Sequence, residues 1–225
     1  MNITYYGHSC FAAEINGKTI LFDPFISPNP LASEINVDAV QADYILISHG
    51  HSDHIADAVS IAKRTGAKCV SNWEIYEWLQ KQGVENAHPM NTGGQWNFGD
   101  FKVKCTIAQH SSSLPDGSYG GNPMGFLVSS NEGNFYYSGD TALTLDMQLL
   151  SGFDINFCLL PIGDNFTMNA DEAAMAAEFV HCNKVIGLHY DTFGFIKIDH
   201  KAAIESFEEL NKDLILLGIG ETRDM

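Results

Sequence analysis

The sequence has few basic residues, few cysteines and no long hydrophobic run. Only 12 lysines and arginines stand against 28 aspartates and glutamates, which gives a formal net charge of −16. A surface this acidic repels phosphate backbones and anionic lipid headgroups, so we expect neither nucleic acid nor membrane as a partner. A small anionic substrate is still allowed, because bound metal cations would dominate the local field of a pocket.

The cysteines predict a reducing environment. There are five of them, an odd number, and no two are spaced as C-x-x-C. Most lie in apolar segments, where cysteine behaves as a small buried hydrophobic residue. The chain opens without the pattern of a signal peptide, and no apolar run approaches membrane-spanning length. We therefore expect a soluble, cytoplasmic protein.

The 225 residues have the length of one large domain, and no break in composition divides them, so we expect a single domain over residues 1–225. Short strand patterns dominate the first part of the chain, and helical patterns alternate with strands afterwards. The clearest helical patterns cover 55–65, 73–82, 173–180 and 201–211. This order predicts an α/β fold in which two sheets pack face to face with helices on their outer faces.

The densest cluster of chemically active side chains is the run His49-Gly50-His51-Ser52-Asp53-His54. It follows the apolar segment 44–48, which predicts a buried strand that ends where the polar run begins. Residues two apart on an extended chain point the same way, so the first two histidines can bind one metal ion. The aspartate and the last histidine can face a second ion as the chain turns. Polar residues that merely decorate a strand end would explain one histidine, but not this concentration.

Three more residues with metal-binding side chains lie just past the ends of predicted strands: His110, Asp140 and His189. Two packed sheets could bring all of them to one edge. Gly139 precedes the aspartate and removes a side chain where the backbone must approach closely. Five histidines and two carboxylates would then converge, which is enough for two ions with positions left for water and substrate.

Several other residues have two interpretations each. His8 follows a glycine in a turn and is either a substrate contact or proton donor, or a turn histidine bonded to backbone. Asp23 is interpreted as structural, either orienting a neighbouring ligand or capping a loop. The segment 111–123 is a mobile lid or a plain surface connection. Asp164 and Thr167 either line the pocket or form a turn.

The remaining histidines and the tryptophans are interpreted as structural. We expect His88, His181 and His200 to be ordinary surface or helix-end residues. The three tryptophans are expected to pack in the core: Trp73, Trp78 and Trp96.

The metal-binding residues resemble the metallo-β-lactamase superfamily, whose pattern is H-x-H-x-D-H after a strand, then a separated histidine, a bridging aspartate and a last histidine. The resemblance implies a four-layer αββα sandwich and two divalent ions, Zn²⁺ first, with Mn²⁺, Ni²⁺ or Fe²⁺ as alternatives. It assigns His49, His51 and His110 to the first ion and Asp53, His54 and His189 to the second. Asp140 would bridge the two ions.

The chemistry implied is hydrolysis. Water held between two such ions becomes a nucleophilic hydroxide near neutral pH, and Asp53 is placed to orient it. The catalytic candidates are therefore Asp53, Asp140 and His8. No separate general acid is evident.

Local motifs narrow the resemblance to a compact branch of uncharacterised metal-dependent hydrolases related to L-ascorbate-6-phosphate lactonase. The motifs are Tyr5-Tyr6-Gly7-His8-Ser9, Leu21-Phe22-Asp23-Pro24, Tyr137-Ser138-Gly139-Asp140-Thr141, Leu160-Pro161-Ile162-Gly163-Asp164 with Phe166-Thr167-Met168, and His189-Tyr190-Asp191-Thr192-Phe193. This branch implies a small-molecule substrate, either a lactone or other ester or a phosphorylated sugar, and a homo-oligomer. Two alternatives remain: a phosphodiesterase acting on nucleotide-like substrates, and a non-catalytic metal-bearing binding protein.

Overall fold

Two seven-stranded β-sheets form the centre of the structure, a computed structural model that describes residues 1–225. The strands of the first sheet are β1 (Asn2–Gly7), β2 (Cys10–Ile15), β3 (Lys18–Phe22), β4 (Tyr44–Leu46), β5 (Lys68–Ser71), β6 (Ala87–Pro89) and β14 (Thr222–Asp224). Their spatial order is β14-β1-β2-β3-β4-β5-β6. Pairing is antiparallel from β14 to β3 and parallel from β3 to β6.

The second sheet has the same plan. Its strands are β7 (Gln95–Asn97), β8 (Lys102–Ile107), β9 (Met124–Ser130), β10 (Gly133–Tyr137), β11 (Phe157–Pro161), β12 (Lys184–Leu188) and β13 (Asp213–Ile215). The spatial order is β13-β12-β11-β10-β9-β8-β7. Strands β7 to β10 pair antiparallel, and β10 to β13 pair parallel. Short strands β6, β7 and β14 had no clear sequence pattern.

Five α-helices accompany the sheets: α1 (Ser52–Ile55), α2 (Ala58–Thr65), α3 (Trp73–Lys81), α4 (Ala170–Phe179) and α5 (His200–Glu209). Short 3₁₀ helices cover Pro30–Ala32, Val37–Ala39, Leu145–Leu150 and Gly194–Ile196. Helix α4 begins with a capping box, in which the side chains of Asn169 and Glu172 each accept a hydrogen bond from the other's backbone N–H.

Three apolar clusters hold the layers together and confirm the αββα sandwich. The largest contains 22 buried residues from both sheets, including Phe11 and Phe22, whose rings stack 4.4 Å apart. A second cluster joins the outer face of the first sheet to α2 and α3, and a third joins the second sheet to α4 and α5. Because the two sheets share one core, their strand ends lie side by side at each edge of the sandwich.

The helix expected over 55–65 is divided in two at Asp57. The carboxylate of Asp57 accepts hydrogen bonds from the backbone of Ile26 and Ser27 at 2.6 and 2.9 Å, and from the Ser27 hydroxyl at 2.6 Å. Its backbone N–H bonds Pro24 at 2.9 Å. Tying residue 57 to this distant loop interrupts the helix, which local periodicity does not reveal.

The expectation that all three tryptophans pack in the core is wrong. Trp73 is 50% exposed at the start of α3, Trp96 is 52% exposed on the edge strand β7, and Trp78 is half-buried. In α5, Ala203 and Phe207 are buried, whereas Ile204 and, just past the end of the helix, Leu210 are more than one-third exposed. Edge positions and helix ends leave large apolar side chains in contact with solvent.

Segment 111–123 contains no regular element beyond one isolated bridge between Ser113 and Tyr119. The Ser112 hydroxyl accepts a hydrogen bond from Gly50 at 3.0 Å, and Asn72 donates to the carbonyl of Gly120 at 2.7 Å. Leu114 is buried in the second apolar cluster, on the outer face of the first sheet. These attachments favour a tethered surface connection over a mobile lid.

All five cysteines are buried and unpaired, as the sequence predicted. No helix in the structure combines the length and the apolar character needed to cross a bilayer.

Candidate metal centre

The ends of four strands deliver the seven predicted metal-binding residues to one edge of the sandwich. The run 49–54 follows β4, and His110, Asp140 and His189 follow β8, β10 and β12. Gly139 has φ +64°, and a Cβ there would lie 2.6 Å from the carbonyl oxygen of Met124. The predicted need for a close backbone approach beside Asp140 is therefore confirmed.

Three imidazoles form the first group: His49, His51 and His110. One ligand nitrogen from each lies within 4.8 Å of the others. Nε2 of His49 is 3.0 Å from Nδ1 of His51, and the His110 ring centroid is 5.1 and 5.2 Å from the two other rings. This spacing allows three nitrogens to coordinate one ion.

The second group contains Asp53, His54 and His189, together with His8. Oδ2 of Asp53 lies 3.9 Å from Nε2 of His54 and 3.9 Å from Nε2 of His189. The two imidazole rings are nearly parallel, with an interplanar angle of 21°. Asp53 is the most accessible member, with its side chain 24% exposed.

Asp140 lies between the two groups. Its Oδ2 atom is 3.1 Å from Nε2 of His54 and 3.0 Å from Nε2 of His189 in the second group. The same oxygen is 3.8 Å from Nε2 of His110 and 4.0 Å from Nε2 of His49 in the first group. One carboxylate therefore contacts both clusters of nitrogen ligands.

The charges of the site favour a cation. Burial lowers the pKa values of His49, His51 and His110, so their nitrogen lone pairs are available to a metal. Burial also disfavours a charged His54, but the carboxylates of Asp140 and Asp53 outweigh it and raise the pKa of His54 well above its usual range. A metal ion bound at Nε2 of His54 would displace this proton and take over its interaction with the two carboxylates.

Unsatisfied buried atoms show that the residues fit a metal ion. Nε2 of His54 and Oδ1 of Asp140 are buried without a hydrogen-bond partner, although the histidine lies close to the other carboxylate oxygen. Nδ1 of His189 is also unpartnered. Burying polar atoms without hydrogen-bond partners is costly. Nε2 of neutral His54 and Oδ1 of Asp140 each have a lone pair with which they can coordinate a divalent cation.

Asp23 connects the two groups from beneath. Its carboxylate accepts hydrogen bonds from the Ser48 backbone at 2.7 Å, the Ser48 hydroxyl at 2.5 Å, the Tyr137 hydroxyl at 2.5 Å and Nδ1 of His54 at 2.8 Å. Asp23 also lies at ligand distance from His49 and His54, but these four donors occupy its oxygens. Asp23 therefore fixes the imidazole of His54, which is the contact that the predicted orienting role requires.

The ring of His8 reaches the metal edge and hydrogen-bonds two side chains. The interpretation of His8 as a turn histidine bonded to backbone is therefore wrong. Its Nε2 lies 3.1 Å from Oδ2 of Asp53, and its Nδ1 lies 3.1 Å from the Thr192 hydroxyl. Burial, followed by the neighbouring His189, lowers the pKa of His8 to about 4. Because a carboxylate only accepts, the neutral ring donates from Nε2 to Asp53 and accepts from Thr192.

Sequence reasoning gave no role to Ser48, Tyr137 or Thr192, which hold the metal-binding residues from behind. In the sequence, only their position marks these three residues, because each lies within three residues of a predicted metal ligand. Asp164 forms a turn, with its carbonyl accepting from Thr167 at 3.3 Å. His181 and His200 are exposed, and His88 packs beside Trp96, all away from the ligand cluster.

Comparison with known proteins identifies the family of this chain. A family model described as "Beta-lactamase superfamily domain" matches residues 2–189. A "UPF0173 metal-dependent hydrolase" of Flavobacterium johnsoniae is 49% identical over 226 residues, covering 100% of both chains. A protein of the same description from Methylacidiphilum infernorum is 53% identical over 223 residues, covering 99% of each.

Solved structures show the same fold. Igni18, a metallo hydrolase from Ignicoccus hospitalis, superposes with a TM-score of 0.89 at 33% identity, covering 99% of this chain and 97% of that one. An isothiocyanate hydrolase from Delia radicum gut bacteria has a TM-score of 0.80 at 18% identity, covering 100% and 99%, and shows likeness of fold alone. This chain belongs to the beta-lactamase superfamily and, within it, to the UPF0173 metal-dependent hydrolases.

Proposed function

We propose that the protein hydrolyses a small-molecule lactone or other ester at a centre of two divalent metal ions. The observation that carries the proposal is the position of Asp140, whose Oδ2 atom contacts both groups of nitrogen ligands at 3.0–4.0 Å. A carboxylate shared in this way suits a pair of adjacent ions better than one ion.

The ligands divide between the ions as the two groups do. His49, His51 and His110 would hold the first ion, and Asp53, His54 and His189 the second. The ligand distances within each group support this division, and Asp140 would bridge. Nitrogen and carboxylate donors suit Zn²⁺, with Mn²⁺, Ni²⁺ and Fe²⁺ as alternatives that depend on supply in the cell.

When bound, the ions would activate water for attack and polarise the scissile carbonyl. The side chains around them prepare this chemistry. Asp53, the accessible carboxylate, would orient the attacking water, and His8 would hold Asp53 by the 3.1 Å hydrogen bond from Nε2. Because His8 is only 1% exposed, we propose that it positions Asp53 and does not itself touch substrate.

Lactone or ester chemistry is supported by the motifs at 5–9, 137–141 and 189–193, which resemble the compact lactonase-related branch. The kinship with L-ascorbate-6-phosphate lactonase remains a prediction, as do the homo-oligomer and the cytoplasmic location. A purely binding role is less consistent with the site, because Asp53 is accessible and a binding protein has no need of two ions with open positions.

The test is turnover of a panel of lactones and a panel of phosphodiesters by zinc-reconstituted protein. The parent should hydrolyse lactones, and Asp140→Ala should lose at least a thousandfold in kcat/KM. Asp100→Ala, at an exposed position at the far end of β8, is the matched control and should retain full activity. Phosphodiester turnover without lactone turnover, or full activity in Asp140→Ala, would overturn the proposal.

A further inference from the structure

Two exposed phenylalanines, Phe166 and Phe195, contact each other on the loops that follow β11 and β12. Phe195 is 77% exposed and Phe166 is 52% exposed. Their ring centroids lie 6.4 Å apart in an edge-to-face arrangement. Single exposed apolar residues are ordinary, but an exposed aromatic pair next to a candidate active site is a feature of binding surfaces.

The loop that carries Phe166 is packed against the metal edge. A Cβ at Gly163 would lie 2.0 Å from the carbonyl oxygen of His189, so the two backbones are in direct contact. The N–H of Met168 donates to the carbonyl of Thr141, the residue after Asp140, at 3.1 Å. The start and the end of this loop are therefore both fixed beside proposed ligands.

The loop that carries Phe195 begins directly after His189. Its turn is closed by a 2.7 Å hydrogen bond from the N–H of Asp191 to the carbonyl of Ile196. Phe193 on the same loop packs 5.3 Å from the ring of His8, which in turn bonds Asp53. The loop that carries Phe195 is therefore linked, through Phe193 and His8, to the proposed water-orienting carboxylate.

The charges around the pair disfavour an anionic ligand. The two loops, 162–169 and 189–199, contain Asp164, Asp191 and Asp199 but a single lysine, Lys197. Four strands, β3, β5, β8 and β12, each begin with a lysine, at the ends opposite to those that lead to the metal edge. Four of the twelve cationic side chains therefore lie at the far edge of the sandwich, away from the aromatic pair.

We propose that Phe166 and Phe195 determine substrate specificity by packing against an aromatic or bulky apolar substituent of an uncharged substrate. The substituent would lie on the two rings while the scissile ester reaches the metal centre. The inference rests on the proposed function for the identity of the scissile group. It replaces a phosphorylated substrate with a neutral, apolar one.

The test is a binding comparison that does not depend on turnover. Zinc-reconstituted protein is titrated by calorimetry with 3-phenylpropanohydroxamate and with propanohydroxamate, which share a metal-binding group and differ only by the phenyl ring. The parent should bind the phenyl compound at least tenfold more tightly. Phe166→Ala and Phe195→Ala should each reduce this preference to about threefold or less, and Phe195→Leu should keep part of it.

Trp96→Ala is the matched control, because Trp96 is as exposed as Phe166 but lies on β7 at the edge of the second sheet. It should leave the preference unchanged. Equal binding of the two hydroxamates by the parent, or an unchanged preference in both phenylalanine variants, would overturn the inference. A change of oligomeric mass in those variants with an unchanged preference would do the same, and would assign the rings to contact with a second copy.

The same titration separates this inference from the proposed function. A tenfold phenyl preference in a protein without lactone turnover supports the aromatic surface and contradicts the proposed reaction. Conversely, turnover of γ-valerolactone and γ-phenyl-γ-butyrolactone at equal kcat/KM, with equal hydroxamate affinities, leaves the reaction standing and overturns the inference.

Discussion

The carboxylate of Asp23 fixes the imidazole of His54 through a 2.8 Å hydrogen bond from Nδ1. It also controls His49 through Ser48, whose hydroxyl donates to Asp23 at 2.5 Å and lies 3.0 Å from Nδ1 of His49. Since the serine proton is committed to Asp23, Nδ1 of His49 must donate to the serine. In the neutral form that binds metal, both histidines then have an unprotonated Nε2, one in each ligand group.

Replacing Asp23 should weaken metal binding without removing a ligand. In Asp23→Asn, the amide cannot accept all four hydrogen bonds, so the tautomers of His54 and His49 are no longer fixed. We expect zinc affinity, measured by competition with a chromophoric chelator, to fall by about 10–100-fold. Asp100→Asn at an exposed position should bind zinc as the parent does, and parental affinity in Asp23→Asn would refute the orienting role.

Loss of the side-chain hydroxyl should have different effects on the free energy of unfolding at the adjacent residues Tyr136 and Tyr137. Tyr137→Phe removes a hydrogen bond to the buried Asp23 carboxylate, which should lower the free energy of unfolding by about 1–3 kcal/mol. Tyr136→Phe removes a buried hydroxyl that has no hydrogen-bond partner, so stability should be unchanged or higher. Urea denaturation of the metal-free proteins measures both. Equal losses in the two variants would contradict this assignment.

The buried thiols should be unreactive in the folded protein. Burial raises the pKa values of Cys69 and Cys105 to about 12, so both stay protonated at pH 8 and lack the nucleophilic thiolate. Iodoacetamide labelling followed by peptide mapping should leave both residues unmodified in the native state and modify them fully in denaturant. Rapid native labelling of either cysteine would mean that the core opens more readily than this packing implies.

Metal removal should destabilise the protein as well as inactivate it. Without ions, the buried ligand atoms of His54 and Asp140 have no partner. Because metal binds the folded state and not the unfolded chain, bound metal adds to the stability of the fold. Chelation should therefore lower the melting temperature by roughly 5–10 °C, and stoichiometric Zn²⁺ should restore it. An identical melting curve before and after removal of all bound metal would argue against an ion at this site.

Much of the site was predictable because its information is local. The run 49–54 contains four of the seven proposed ligands, and His110, Asp140 and His189 share the simple rule of following an apolar strand. The αββα layers follow from the order of strands and helices in the same way. The periodicity of α3 also depends only on neighbours in sequence, and the predicted range 73–82 matches the observed helix closely.

The remaining features depend on contacts between distant parts of the chain. Asp23 meets Tyr137, which is 114 residues away, and His8 meets Thr192, which is 184 residues away. No local pattern reports such pairs. The break between α1 and α2 likewise comes from the attachment of Asp57 to Ser27, and the exposure of Trp96 comes from the edge position of its strand.

The central claim is that two ligand groups sharing Asp140 form one dinuclear centre, and metal stoichiometry tests it most directly. Zinc-loaded protein, freed of excess metal by gel filtration, is analysed by plasma mass spectrometry beside His110→Ala and His189→Ala, each of which removes one ligand from one group. The account predicts two ions per chain in the parent and about one in each variant. One ion per chain in the parent, or two in both variants, would contradict it.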